Sequence, residues 1–184
     1  MNTNLNGKLV WIDCEMSGLE VDTCRLLEIA VVITDNQLNP VGNKLELVIH
    51  QPQHVLDSMD EWCTLHHSQS GLTKKVQSST ISEAAAEETV VNHIKSYCVL
   101  DPKPLIAGNS VHADLAFIKK YMPNLAAILS YRVLDVSTIK ELSFRWTPHI
   151  SRKAPLKNLN HRALDDILES IEELKFYKEN LFKL

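Results

Sequence analysis

Three things are scarce in this chain, and each scarcity closes off a class of protein. Hydrophobic stretches are short: none reaches the ~18 apolar residues that a membrane-spanning helix requires, so no membrane association is expected. Cysteine appears four times, at positions 14, 24, 63 and 98. The spacing is irregular and holds no C-x-x-C pair, which argues against a disulfide framework and against a structural zinc site. Excess positive charge is missing altogether. With 19 Lys and Arg against 23 Asp and Glu the formal net charge is -4, whereas a protein that coats long nucleic acid by charge alone needs the opposite balance. A short nucleic-acid substrate held by a cation and a few local contacts stays compatible with that charge. The first eight residues are polar and carry neither a signal-peptide core nor an Arg-rich transit pattern. A cytoplasmic protein is therefore expected, with an organellar form cut from a longer precursor as the alternative. Repeats, low-complexity tracts and linkers are also lacking. A chain of 184 residues, 45% of them hydrophobic, suits one domain, 1–184, with a core of ordinary size.

What is present is a change of texture along the chain. Residues 8–13 read as a strand. The stretch Leu26 to Thr34, LLEIAVVIT, is rich in β-branched residues and reads as a buried strand. Turn chemistry at DNQLNP (35–40) leads to a third strand over 44–50, so an antiparallel meander is expected. Thr80-Ile81-Ser82-Glu83 has the form of a capping box and opens a helical stretch to Tyr97. A short strand (104–109), a helix (113–121), a strand (133–136) and a helix (137–144) follow. Leu164, Ile167, Leu168, Ile171 and Leu174 recur at helical spacing, which makes 163–177 an amphipathic helix. Strands first, then alternating β and α segments, predict an α/β fold with a mixed sheet flanked by helices.

The segment WIDCEMSGLE (11–20) carries the first chemical signal. Alternation along a strand puts Asp13 and Glu15 on one face, close enough to repel. A strand end running into solvent would tolerate this. So would a divalent cation, which turns the mutual repulsion into shared attraction. Two later positions bear on the choice. Asp114 follows the strand and loop LIAGNSVHAD, where active sites in sheet proteins concentrate, although it could equally cap the next helix. HRALDD then brings His161, Asp165 and Asp166 to the start of the last helix. Acidic residues there also suit the helix dipole, and helical spacing from Leu164 puts Asp166 roughly opposite the apolar face.

In this order, D-x-E, a later D, and H-x-x-x-x-D, the chain resembles the DEDDh group of 3′→5′ exonucleases, which have a ribonuclease-H-like fold with a five-stranded mixed sheet. Longer strings, WIDCEMSGL, MDEWC with the following HHSQSGL, AGNSVHAD, YRVLDVST and HRALDDILESIEELKFY, narrow the resemblance to the oligoribonuclease family and span Trp11 to Tyr177. The resemblance implies two Mg²⁺ or Mn²⁺ ions, about 4 Å apart, held by Asp13, Glu15, Asp114 and Asp166, with His161 as general base. Asp165 is the rival for the fourth carboxylate, and periodicity does not decide between them. Leu19 and Trp62 resemble the pair that stacks on the 3′-terminal base. His67, Ser110, Arg132 and Ser137 resemble the residues that hold the phosphate at the substrate's 5′ end, with His66 as an alternative to His67. Tyr131 resembles an aromatic cap supplied by the second subunit of a homodimer. The implied activity is hydrolysis of short oligoribonucleotides, chiefly dinucleotides, to 5′-mononucleotides, with no obligate protein partner.

Two other functions compete. A tRNA-trimming or DNA-proofreading exonuclease should carry a larger basic surface than the small cluster Arg152, Lys153 and Lys157, which reads as a solvated loop. A catalytically dead binding module should have lost a carboxylate or the histidine, and all are present.

Overall fold

The computed structural model describes residues 7–156 and 162–182. Its elements, in order, are β1 (Leu9–Met16), β2 (Leu26–Thr34), β3 (Leu45–Val48), α1 (Gln53–Asp57), α2 (Glu61–Gln69), α3 (Leu72–Ser78), α4 (Glu83–Tyr97), β4 (Leu105–Gly108), α5 (His112–Tyr121), α6 (Pro123–Ile128), β5 (Val133–Asp135), α7 (Val136–Trp146), α8 (Pro148–Ser151) and α9 (Ala163–Leu181). The five strands form one mixed sheet in the order β3-β2-β1-β4-β5. The meander β1-β2-β3 is antiparallel, as expected, and β4 and β5 add in parallel.

The β1 strand explains the layering. Val10, Ile12 and Cys14 pack on one face with β2, α4, α5 and α6. Trp11 packs on the other face with Ala30 and Val32 of β2 and with Ala163, Ile167, Ile171, Leu174 and Tyr177 of α9. The period of two thus assigns odd positions of β1 to the α9 layer. The expected strand 8–13 is too short, because antiparallel pairing with β2 continues to Met16 opposite Leu26. Asp13 and Glu15 therefore lie inside a paired strand, not beyond its end.

Other boundaries also shift. The helix after residue 80 is capped by Ser82, whose Oγ accepts the Ala85 N–H at 3.2 Å. Glu83 does not close a box with Thr80; its Oε1 accepts a hydrogen bond from Gln51. The short helices α1–α3, α6 and α8 were not anticipated. Among the described residues no helix is long and apolar enough to cross a membrane.

Candidate active site

One face of β1 changes from apolar to acidic within three residues of Trp11. Trp11 is fully buried under α9, and the next two side chains on that face are Asp13 and Glu15. The helix α9 runs over this face with its first turn at the acidic end. The consequence is a cluster in which one oxygen from each of Asp13, Glu15 and Asp166 lies within 4.8 Å of the others. Asp166 is half-buried and Asp165 is exposed. The expectation that Asp166 lies opposite the apolar face of α9 is therefore wrong. It shares a side with buried Ala163 and Ser170, since residues three and four apart are helix neighbours.

Asp114 reaches the site from the opposite layer. It lies in the first turn of α5 but does not cap it. Its Oδ1 accepts the Cys14 N–H at 2.8 Å, just beyond the point where the parallel pairing of β1 and β4 ends. The carboxyl is buried. Burial drives its pKa up to about 7, against the opposing hydrogen bond from Cys14. Burial also lifts Glu15 to about 8, reinforced by Asp166, Glu28 and Asp114 and opposed by Arg162. An all-oxygen group of half-buried acids that resist losing their protons suits a hard divalent cation, whose charge reverses the repulsion.

Among the described residues, Arg162 brings a positive charge close to this cluster. Directly across the ladder from Glu15 stands Glu28, which is fully buried. Arg162 donates to it through Nε at 3.1 Å and Nη2 at 2.6 Å, and Nη2 also reaches Glu46 Oε1 at 3.0 Å. Neither Glu28 nor Arg162 stood out in the sequence reading. The available signal was a single charged residue inside the otherwise apolar run LLEIAVVIT.

The histidines of α2 separate cleanly. His67 is buried, donates from Nε2 to the Met16 carbonyl at 2.9 Å, and has Nδ1 3.8 Å from Glu15 Oε2. His66 faces away, stacking on Trp62 with ring centroids 4.0 Å apart. The inward member of the pair is thus His67, and in this structure it touches the acidic cluster. The same contact docks α2, and with it the half-exposed Trp62, at the end of β1, from which the exposed Leu19 also emerges.

A second group forms around Asp135, the cap of α7. Its Oδ1 accepts the N–H groups of Ser110 and Ser137, both at 2.9 Å, and the Ser137 hydroxyl at 2.6 Å. Its Oδ2 lies 3.6 Å from His112 Nδ1. Ser110 sits at φ 56°, a left-handed conformation that is costly for a non-glycine residue. Asn109 beside it donates to the buried Glu173 of α9 at 3.1 Å. Ser110 and Ser137 are thus brought together, and Asp135, which organises them, was missed. Tyr131 and Arg132 are both exposed. The Arg132 Nε donates to the Tyr131 hydroxyl at 3.1 Å. Core burial, the ordinary expectation for a tyrosine just before a strand, fails here. His161 and Lys157 lie outside the described residues, while Arg152 and Lys153 are exposed.

Comparison with known proteins identifies the family of the chain. The RNase_T family model, an exonuclease family, matches residues 10–174. The chain is similar to an oligoribonuclease of Arabidopsis thaliana, with 52% identity over 95% of this chain and 78% of that one. It is 48% identical to a mitochondrial oligoribonuclease of Homo sapiens, over 96% of this chain and 74% of that one. An oligoribonuclease of Haemophilus ducreyi is 46% identical over 100% of both chains. Among solved structures, E. coli exonuclease I in complex with a 5cy-dT13 oligonucleotide superposes with a TM-score of 0.74 at 16% identity, covering 96% of this chain and 41% of that one. Exonuclease I of Methylocaldum szegediense gives 0.71 at 17%, covering 95% and 41%. The chain thus spans about two fifths of those structures, and the likeness shows the shared ribonuclease-H-like fold. With a matching exonuclease family model across most of its length and near-half identity to proteins from a plant, an animal and a bacterium, the chain belongs to the oligoribonuclease family of exonucleases.

Proposed function

We propose that this protein is a metal-dependent 3′→5′ exoribonuclease that hydrolyses short oligoribonucleotides, chiefly dinucleotides, to 5′-mononucleotides. The observation that carries the reading is the carboxylate cluster of Asp13, Glu15 and Asp166, with Asp114 beside it, in a chain about half identical to oligoribonucleases. Asp13, Glu15, Asp114 and Asp166 hold two Mg²⁺ or Mn²⁺ ions. When bound, these supply Lewis acidity that lowers the pKa of water and offsets charge on the leaving 3′ oxygen. His161 takes the proton of the attacking water, since imidazole titrates near the working pH. The new bond joins water oxygen to phosphorus, the bond to the 3′ oxygen breaks, and that oxygen takes a proton from solvent. A 5′-mononucleotide is released and the shortened chain keeps a 3′-hydroxyl.

Leu19 and Trp62 grip the 3′-terminal base. Their exposure suits a surface waiting for an apolar ring, and stacking ignores base identity. Ser110, Arg132 and Ser137 hold the 5′-terminal phosphate, while His67, expected with them, lies against Glu15 at the end of β1 instead. Arg132 offers a planar fork for it. Tyr131, 86% exposed, reaches into the neighbouring subunit of a homodimer. Exposed Phe144, Trp146 and Leu156, all within 26 residues of Tyr131 in sequence, support such an interface. A pocket closed after two nucleotides touches few phosphates, which accords with the net charge of -4. The cytoplasm is the proposed location, and the mitochondrial relatives make an organellar form the alternative.

The test is a length series of 5′-phosphorylated RNAs, from two to about twenty nucleotides, assayed with Mg²⁺ or Mn²⁺. A steep preference for the dinucleotide is expected. Comparable kcat/KM on the shortest and longest substrates would replace this reading with a trimming exonuclease.

A further inference from the structure

The first turn of α9 has an unusual support. Its N-cap residue is Arg162, whose own side chain makes no capping hydrogen bond. The Ala163 N–H is instead taken by Oε2 of Glu28, at 3.1 Å, from a strand 135 residues earlier in the chain. The same carboxylate accepts both the Nε and the Nη2 of Arg162, whose Nη2 reaches on to Glu46 of β3. Glu28 is fully buried, and the Arg162 side chain is 15% exposed. A buried carboxylate with three donors is tolerable, whereas either member left alone is not. Docking of α9 on the sheet therefore requires this arrangement to assemble in one geometry. From there the connection to the acidic cluster is short. The Arg162 carbonyl accepts the Asp166 N–H at 3.0 Å, and Glu28 stands opposite Glu15 in the β1-β2 ladder. Both ends of the clamp thus adjoin a carboxylate of the cluster.

We propose that Glu28 and Arg162 are positioning residues for the cation site, a clamp that holds the Asp166 carboxylate against Asp13 and Glu15. Arg162 also brings a fixed positive charge beside the cluster. The inference rests on the reading that Asp13, Glu15 and Asp166 hold a divalent cation. A guanidinium suits the task because its planar fork binds one carboxylate through two nitrogens, which fixes direction as well as distance. A lysine keeps the charge and loses the direction, so Arg162→Lys separates positioning from simple neutralisation.

The experiment is Mn²⁺ binding to the full chain without RNA, followed by electron paramagnetic resonance, alongside thermal melts of each variant. Arg162→Lys and Glu28→Gln are each expected to weaken Mn²⁺ binding at least tenfold. Ile171→Val, which trims the core under α9 without touching the clamp, controls for mere destabilisation of the helix. It should lower the melting temperature and leave Mn²⁺ affinity within twofold. If Glu28→Gln fails to fold, Arg162→Lys carries the test by itself. Wild-type affinity in a folded Arg162→Lys overturns the clamp, and so does an equal loss in Ile171→Val. Asp166→Asn is measured in parallel. Should it too bind Mn²⁺ like the wild type, the assignment of the cation site fails, which is distinct from failure of the clamp.

Discussion

The acidic cluster should make the metal-free protein lose stability as pH rises. Glu15 is the group to follow. Its side chain is 13% exposed, and burial with Asp166, Glu28 and Asp114 nearby moves its pKa from 4.5 to about 8, Arg162 pulling weakly the other way. Between those two values the folded chain holds a proton that the unfolded chain has lost. The native state therefore binds more protons, and stability falls with rising pH across that window. Complete ionisation of Glu15 alone then costs roughly 4–5 kcal/mol, at ~1.4 kcal/mol for each tenfold step. Relaxation and water entry reduce such penalties, leaving about 2–4 kcal/mol. Asp114, raised to about 7, acts in the same direction. Because it interacts with Glu15, its cost is not added separately. For a chain of this size ~1 kcal/mol moves Tm by about 2–4 °C, so Tm in EDTA should drop by roughly 5–15 °C between about pH 5 and pH 8.5. Saturating Mg²⁺ or Mn²⁺ should restore most of the loss at the alkaline end. Glu15→Gln, which has no proton to lose, should flatten the slope and melt above the wild type at alkaline pH without metal. Differential scanning calorimetry across the pH series, with and without metal, gives all three readings. A metal-free Tm that is level or rises over that range would refute the electrostatic account of the site.

Asp114→Ala and Asp166→Ala should nearly abolish hydrolysis while Asp165→Ala stays close to wild type; a dead Asp165→Ala beside an active Asp166→Ala would reverse the assignment. His161→Ala should lower kcat by about 10²–10⁴-fold with little change in KM, as removal of a general base does, and a pure KM effect would move it to binding. Trp62→Ala should raise KM for dinucleotides by roughly 5- to 150-fold, the worth of about 1–3 kcal/mol of stacking, to a similar degree for all four 3′ bases. Asp135→Asn loosens its contacts with Ser110 and Ser137, so the preference for 5′-phosphorylated over unphosphorylated dinucleotide should fall about tenfold, the scale of one hydrogen bond to a charged group; an unchanged ratio in the two-substrate assay would detach Asp135 from phosphate recognition. For Tyr131, inactive Asp114→Ala and impaired Tyr131→Ala chains, once subunit exchange is demonstrated with tagged chains, should regain about a quarter of the wild-type sites on mixing, because half the dimers are mixed and each has one complete site. No recovery would mean that Tyr131 serves its own subunit.

Some of this protein was legible residue by residue. Alternation put Asp13 and Glu15 on one face of β1, because the two-residue period is a property of the strand itself. The apolar spacing of 164–174 marked α9, and the β-branched run 26–34 marked β2, for equally local reasons. The helices of α1–α3 were invisible, since five to nine residues carry too few turns to display a period or to stand without tertiary support. The full length of β1 was hidden for a related reason: Asp13 and Glu15 interrupt its apolar run, and only pairing with β2 makes the segment strand. Neighbouring candidates were likewise beyond the sequence. Asp165 and Asp166 have the same local chemistry, and the docking angle of α9 on the sheet is what turns Asp166 toward Glu15. His66 and His67 differ only in which side of α2 meets the Met16 carbonyl. Glu28 looked like a flaw in an apolar strand until Arg162 arrived from 134 positions away. Local pattern determines which side chains share a face. What that face meets, and so whether a buried charge is a fault or a support, depends on contacts between segments far apart in the chain, and those exist only once the chain has folded.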